Sequence, residues 1–193
     1  MLLFMVRHGE TEGNVRKLFY SQVDMPLTEN GRQQALSLRP FLEKYTFDRV
    51  YASDLSRAVE TAKLVLPGCD PIPLPQLREC QMGWIDGYTH ADIIGKYGYL
   101  NDHYEQFGGE SPEQMCSRVK SFLDKLETDP CDRVAAFVHS GTMKAMIRIA
   151  LGMDCLTSNL LSTNCNVAVF RYEKGRWILA AWNLAGNIEG EHT

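Results

Sequence analysis

Short apolar runs that stop at a charge or a glycine alternate along this chain with longer stretches whose apolar residues recur every three or four positions. The first run, "LLFMV" at 2–6, is continuous and apolar and predicts a buried strand. "PLTENGRQQALSLRPFLEKY" at 26–45 puts Ala35, Leu38 and Leu42 on one face of a helix, with Thr28 placed as N-cap. Pro40 falls inside that helix, where a kink is expected. "FDRVYAS" predicts a second strand, and "DLSRAVETAKLVL" a helix stopped by Pro67 and Gly68. The proline-rich "PIPLPQL" at 71–77 reads as extended chain, and 78–110 is the least regular stretch. A helix over 111–127 carries strong start signals: Ser111 as N-cap, Pro112 at its first position and Gln114 to close a capping box. "RVAAFV" predicts a buried strand, "SGTMKAMIRIALG" a helix, and "NVAVFRYEKGRWILAAWN" a hairpin turning at Lys174-Gly175.

This alternation of strand and helix is that of an α/β fold with a largely parallel sheet. The 193 residues, 45% of them hydrophobic, suit a single domain spanning 1–193. The irregular 78–110 stretch then reads as an insertion covering one face. A formal net charge of −4 argues against nucleic-acid binding by bulk attraction, though a local positive pocket remains open. The six cysteines, at 69, 80, 116, 131, 155 and 165, show no CxxC spacing and read as reduced apolar fillers. No stretch has the length of a membrane span, and the first apolar run is too short for a secretory leader, so the expectation is a cytoplasmic protein with no membrane partner.

Charge concentrates where strands are expected to end. The first strand runs into Arg7-His8-Gly9, the 133–138 strand into His139-Ser140-Gly141, and the 48–52 strand into Ser53, with Arg57 one turn into the following helix. In open α/β sheets ligands bind beyond the carboxyl ends of the strands. Two arginines there suit the oxygens of a phosphate, and the helix beginning near Ser140 adds free backbone N–H groups. A histidine among those charges is favoured as neutral imidazole and can act as a nucleophile. Taken singly these residues are ordinary: a lone histidine at a strand end is more often structural, and Arg57 alone reads as a solvated helix residue. His90, His103 and His192 have no such setting and carry no functional reading. A metal-dependent hydrolase built on His8, His139 and nearby carboxylates is the other class the residues leave open, although no DxD pair or His-rich ligand set is visible.

"RHGET" with Asn14, "DMPLTENGRQQA", "YASDLSRAVETA", "LREC" with "GW" and "DG", "GGES" and "VHSGTMK" resemble, in that order, the motif series of the histidine phosphatase superfamily, the phosphoglycerate-mutase-like family. The likeness runs from residue 3 to about 183. It implies a three-layer α/β/α fold with a mostly parallel central sheet. It also implies a phosphohistidine formed on His8, with Arg7, Arg57 and His139 holding the transferred group and Glu79 as general acid. Asn14, Ser21 and Ser140 are the positions it sets against phosphate or substrate, and it calls for no metal and no cofactor. Asp86 is the substitute candidate for the acid, because Arg78 beside Glu79 is placed to pair with it. Three departures touch the walls of the site: Tyr20-Ser21-Gln22 stands where relatives often have Gln-Gly-Trp, Ile85-Asp86-Gly87 where they often have Trp-Glu-Gly, and Ser140 where Gly is frequent.

The chain's length resembles the short phosphatase branch, and "SQVDMPL" is similar to a stretch of α-ribazole phosphatases. The expectation is therefore a metal-independent phosphomonoesterase acting on a small phosphorylated metabolite. Mutase-type phosphoryl transfer and a phospho-ligand sensor without turnover are the alternatives. The exposed face of the last hairpin is the candidate surface for a homodimer.

Overall fold

The computed structural model describes residues 1–100, 102–152, 157 and 160–184. Among them six strands form one sheet: β1 (Leu2–Arg7), β2 (Arg49–Ala52), β3 (Ile72–Pro73), β4 (Arg133–Val138), β5 (Val167–Glu173) and β6 (Arg176–Leu184), in the order β3-β2-β4-β1-β5-β6. The first four strands in that order are mutually parallel, and β5 and β6 extend the sheet antiparallel. The helices are α1 (Glu12–Val15), α2 (Glu29–Leu42), α3 (Ser56–Val65), α4 (His90–Tyr97), α5 (Pro112–Thr128) and α6 (Ser140–Leu151).

Strand side chains alternate between faces, and each face has its own core. Leu3, Met5, Val134, Ala136 and Val138 pack with Phe122 and Leu123 of α5 and with Met143, Met146 and Ile147 of α6. Phe4, Val6, Ala135 and Phe137 pack with Ala35, Leu38 and Leu42 of α2 and with Ala62 and Val65 of α3. Both faces of the central strands are thus covered, which is why β1 and β4 read as unbroken apolar runs. The result is the layered α/β architecture expected.

Register decides where the chemistry lies. β1 pairs with β4 from Leu2↔Arg133 to Arg7↔Val138, so the residues that follow, His8 and His139, leave the sheet side by side. The N–H of Ser53 bonds the Phe137 carbonyl at 2.9 Å, bringing the end of β2 to the same edge. Because β5 is antiparallel, the segment that leads into it, 162–166, arrives at this edge too.

The predicted caps of α2 and α5 form: Thr28 accepts from the Gly31 N–H, and Ser111 and Gln114 make a reciprocal capping box. Lys174 and Gly175 turn the hairpin with φ of 50° and 75°, the left-handed pair that suits a two-residue connection. Three local readings change. Pro40 lies in the last turn of α2, which still runs to Leu42 and closes with the Glu43 N–H on the Arg39 carbonyl. α3 starts at Ser56 rather than Asp54. Only Ile72–Pro73 of the 71–77 stretch is strand, and Pro75–Leu77 winds into a 3-10 turn. Segment 78–110 contains 3-10 turns at Gly83–Ile85 and Glu105–Phe107 with α4 between them. It is tied to 17–19 through backbone bonds, Phe19 N–H to Tyr88 O at 2.9 Å, Gly87 N–H to Phe19 O at 2.7 Å and His90 N–H to Lys17 O at 2.8 Å. Cys69, Cys80, Cys116, Cys131 and Cys165 are free thiols, and Cys155 and His192 lie outside the described residues.

Candidate active site

A cavity of about 260 Å³ opens over the sheet edge, and Arg7, His8, Arg57, Glu79, Asn14 and Ser140 all border it. His8 is 2% exposed, and its Nδ1 stands 2.7 Å from the Gly9 carbonyl. A carbonyl only accepts, so Nδ1 carries the hydrogen and Nε2 keeps its lone pair. Burial first, then the charges of Arg57 and Arg7, hold the His8 pKa well below the ordinary histidine value; the Gly9 bond opposes them without prevailing. The imidazole is therefore neutral at pH 7, with a free nitrogen.

His139 lies beside it, ring centroids 5.1 Å apart. Its Nδ1 accepts the Nε–H of Arg57 at 3.3 Å, so its hydrogen sits on Nε2. Burial first, and then Arg57, His8 and Arg7, depress its pKa as well. His139 is fully buried against these groups and does not itself border the cavity.

Arg57 is completely buried, contrary to the solvated reading its sequence position suggests. It is the second residue of α3, and the bend of 21–24 folds over it. Its Nη1 donates to the Val23 carbonyl at 2.9 Å and its Nη2 to the Ser21 carbonyl at 2.8 Å, and its guanidinium lies 5.0 Å from the Tyr20 ring centre. Asp24 caps α3 by accepting from the Ser56 N–H and hydroxyl. Arg7 donates through Nη1 to the Ser162 carbonyl. Among the described residues, Arg7 Nε and His139 Nε2 are both buried donors without a partner. An unmet buried donor costs about 1–3 kcal/mol, so each is a place where an anionic oxygen would be welcome.

Glu79 is 7% exposed and held from several sides. Its Oε1 accepts the Cys80 N–H at 2.8 Å and its Oε2 the Gly141 N–H at 3.2 Å, at the start of α6. A β-carbon at Gly141 would collide with Oε1, so a side chain there would displace the Glu79 carboxylate. Arg118 of α5, paired with Glu110 at 2.9 Å, donates to the carbonyls of Gln76, Arg78 and Glu79 and so fixes the backbone beneath the carboxylate. Arg78 pairs bidentately with Asp54 at 2.7 Å and leaves Glu79 alone, so the predicted Arg78–Glu79 pairing is not made.

Two predicted residues stand one step behind the cavity. Ser21 does not border it: the Ser21 N–H and hydroxyl both go to Asp86, and its carbonyl receives Arg57. Its hydroxyl is therefore committed to a carboxylate and is not offered to a substrate. Asp86, the substitute for the acid, is spent on that anchor and is off the cavity. Asn14 borders the cavity and gathers its bonds on Oδ1, from the Thr11 N–H, Tyr20 hydroxyl and Asn164 amide, which leaves Nδ2 as the remaining donor.

The sequence reading missed Asn164, whose amide also bonds the His8 carbonyl at 3.0 Å, because the antiparallel entry of β5 is invisible in a local pattern. It also missed His90, which borders the cavity with Lys17, Asp102, Lys144 and Arg148. Among the described residues no three His, Cys, Asp or Glu side chains gather as metal ligands, and no helix is long and apolar enough to cross a membrane.

The family description "Histidine phosphatase superfamily (branch 1)" matches residues 3–185. The chain belongs to that superfamily. An adenosylcobalamin/α-ribazole phosphatase of Salmonella typhimurium is 34% identical over 188 residues, covering 92% of this chain and 88% of the relative. A probable phosphoglycerate mutase of an Enterobacter species is 29% identical over 199 residues, covering 96% and 93%. Among solved structures, the α-ribazole phosphatase from Shigella flexneri superposes with a TM-score of 0.82 at 26% identity, covering 98% of this chain and all of that one. A mycobacterial glucosyl-3-phosphoglycerate phosphatase in complex with VO3 gives 0.84 at 27%, covering 94% and 98%. This histidine phosphatase thus shares its layered sheet with enzymes whose names give different small phosphorylated substrates.

Proposed function

We propose that this phosphatase of small phosphorylated metabolites works without a metal, through a phosphohistidine on His8. The observation that carries the reading is the polarity of the histidine pair: one neutral ring with a lone pair on Nε2, beside buried N–H donors that lack acceptors among the described residues. In the first step the His8 Nε2 lone pair forms the N–P bond while the P–O ester bond breaks. The departing oxygen takes its proton from the Glu79 carboxyl, which lies in the same cavity. Arg7 and Arg57 carry the charge on the phosphoryl oxygens, and His139 contributes Nε2–H while keeping Arg57 aligned. In the second step the Glu79 carboxylate takes a proton from water as that water's oxygen attacks phosphorus. The N–P bond breaks, inorganic phosphate leaves, and His8 recovers its lone pair.

α-Ribazole phosphate and phosphoglycerates are the candidate substrates offered by the names of the relatives. The test is phosphate release from a panel holding both, an aryl phosphate and sugar phosphates, with EDTA throughout and acid-quenched samples probed for phosphohistidine. Turnover with EDTA and a label that maps to His8 is the expected result. Activity lost to EDTA and restored by a divalent cation would overturn it.

A further inference from the structure

The candidate nucleophile is held from behind by a line of hydrogen bonds that begins outside the cavity. Two peptide groups follow the His8 α-carbon. The first, His8–Gly9, is gripped at both ends: Thr61 accepts its N–H at 3.1 Å, and its carbonyl accepts the Asn164 amide at 3.0 Å and the Cys165 N–H at 3.3 Å. The second, Gly9–Glu10, carries the carbonyl that takes the His8 Nδ1–H at 2.7 Å. Its own N–H donates to the side-chain oxygen of Gln34 at 2.9 Å. His8 Nδ1, the Gly9–Glu10 peptide and Gln34 Oε1 thus form one line in which every donor points the same way, from the imidazole toward α2. Gln34 is itself well placed. It precedes buried Ala35, which seats that turn of α2 on the sheet. The first turn of α2 is docked on the same loop. The Thr28 N–H donates to the Glu10 carbonyl at 2.9 Å, and a β-carbon on Gly9 would strike the Gly31 carbonyl, as one on Gly31 would strike the Glu10 backbone. The adjacent Gln33 instead turns outward and donates to Glu29 at 3.0 Å.

We infer that Gln34, which does not border the cavity, is a positioning residue for the nucleophile: through the Gly9–Glu10 peptide it keeps the hydrogen on His8 Nδ1 and the lone pair on Nε2. A peptide whose N–H donates has a more polarised carbonyl, so Gln34 makes Gly9 the better acceptor. As the N–P bond forms, the ring gains positive charge and Nδ1–H becomes the stronger donor, while the proton stays on Nδ1. The line is therefore worth more in the transition state than in the resting enzyme, and its loss falls on kcat rather than on KM. The inference rests on the phosphohistidine reading and adds to it a residue that touches no reacting atom.

The experiment uses Gln34→Met, which keeps the length without the acceptor, and Gln34→Glu, which restores an acceptor. Both residues favour helix, so α2 is kept. Two readouts are taken: kcat and KM on p-nitrophenyl phosphate, and the imidazole nitrogens of His8 in protein labelled with 15N-histidine. Gln34→Met is expected to lower kcat about fivefold, the scale of one neutral hydrogen bond, with KM within about twofold. Its Nδ1–H resonance should move upfield and a share of Nε2–H form should appear, and Gln34→Glu should return both readouts toward wild type. An unmoved Nδ1–H resonance, a kcat within about twofold of wild type, or a loss that Gln34→Glu does not restore would assign Gln34 to packing and overturn the inference alone. A wild type that carries the hydrogen on Nε2, or that is silent toward p-nitrophenyl phosphate, would overturn the phosphohistidine reading and this inference with it.

Discussion

The sheet-edge cradle, Glu79 included, and the wall built from 82–100 and 102–110 border one cavity, and they are held by different means. In the cradle the groups proposed to meet the phosphoryl group are pinned by backbone. Gly9 O fixes the His8 tautomer, Ser21 O and Val23 O fix Arg57, Ser162 O holds Arg7, and the Cys80 and Gly141 N–H groups hold Glu79. The wall is tied at separate points, by Asp86 to Ser21, Glu110 to Arg118, Asp102 to Lys144 and Arg148 and backbone bonds to 17–19, and between those ties it rests on aromatic contacts among Trp84, Tyr88, Tyr97 and Phe107, centroid to centroid at 5.2–6.4 Å, with Trp84 53% and Tyr99 87% exposed. Catalytic groups must stay within fractions of an ångström of a working geometry, whereas a wall need only admit or refuse a leaving group. The difference implies that changes in the cradle cost rate and changes in the wall alter selectivity.

The strongest test of that division is Arg57→Ala, expected to lower kcat/KM by roughly 10³ and to raise KM as well, since the guanidinium serves both substrate and transition state. A loss under tenfold would break the comparison. Next comes the acid. Glu79→Gln should slow alkyl phosphates about 10²-fold and aryl phosphates far less, because a good leaving group needs no proton. Gly141→Ala should reproduce that leaving-group pattern without removing a catalytic group, by displacing Glu79; equal losses on both substrate types would count against the assignment. Asp86→Ala reaches the cradle through Ser21 and Arg57, and about a tenfold fall in kcat is expected, partly rescued by Asp86→Asn, which can still accept the Ser21 bond. If Asp86→Asn is no better than Asp86→Ala, the anchor is not acting through that bond. The mildest effect is set for the wall: Trp84→Ala should leave kcat on an aryl phosphate within about threefold while shifting relative KM values across a substrate panel.

Acid tests the buried neutral histidines through stability, and His90 of the wall adds to the same sign. Both cradle histidines have folded pKa values below the ordinary value of about 6.5, so below that pH the unfolded chain binds protons the folded chain refuses. Unfolding free energy should fall as pH drops from about 7.5 to about 5.5, read from urea midpoints, and the drop should shrink in His139→Gln. A midpoint that rises on acidification contradicts the buried neutral pair.

Local chemistry in the chain is enough to specify many of its elements. Strands and helices with continuous or 3.6-residue apolar patterns, the caps at Thr28 and Ser111, and the hairpin at Lys174-Gly175 each carry a signal that lies within one turn or one strand of what it specifies. The motif series likewise marks Arg7, His8, Arg57, Glu79 and His139, because these side chains sit at strand ends or in short, strongly patterned segments. Tertiary structure decided what those residues touch. That Arg57 is fully buried, that Ser21 and Asp86 serve it from behind, that Arg78 turns to Asp54 rather than Glu79, and that Asn164 returns to His8 are all results of segments far apart in sequence meeting at one edge. The cluster of Lys17, His90, Asp102 and Lys144 arose the same way. Local propensity fixes backbone period and burial, but a charge acquires its role from partners that only register and packing bring within hydrogen-bond reach.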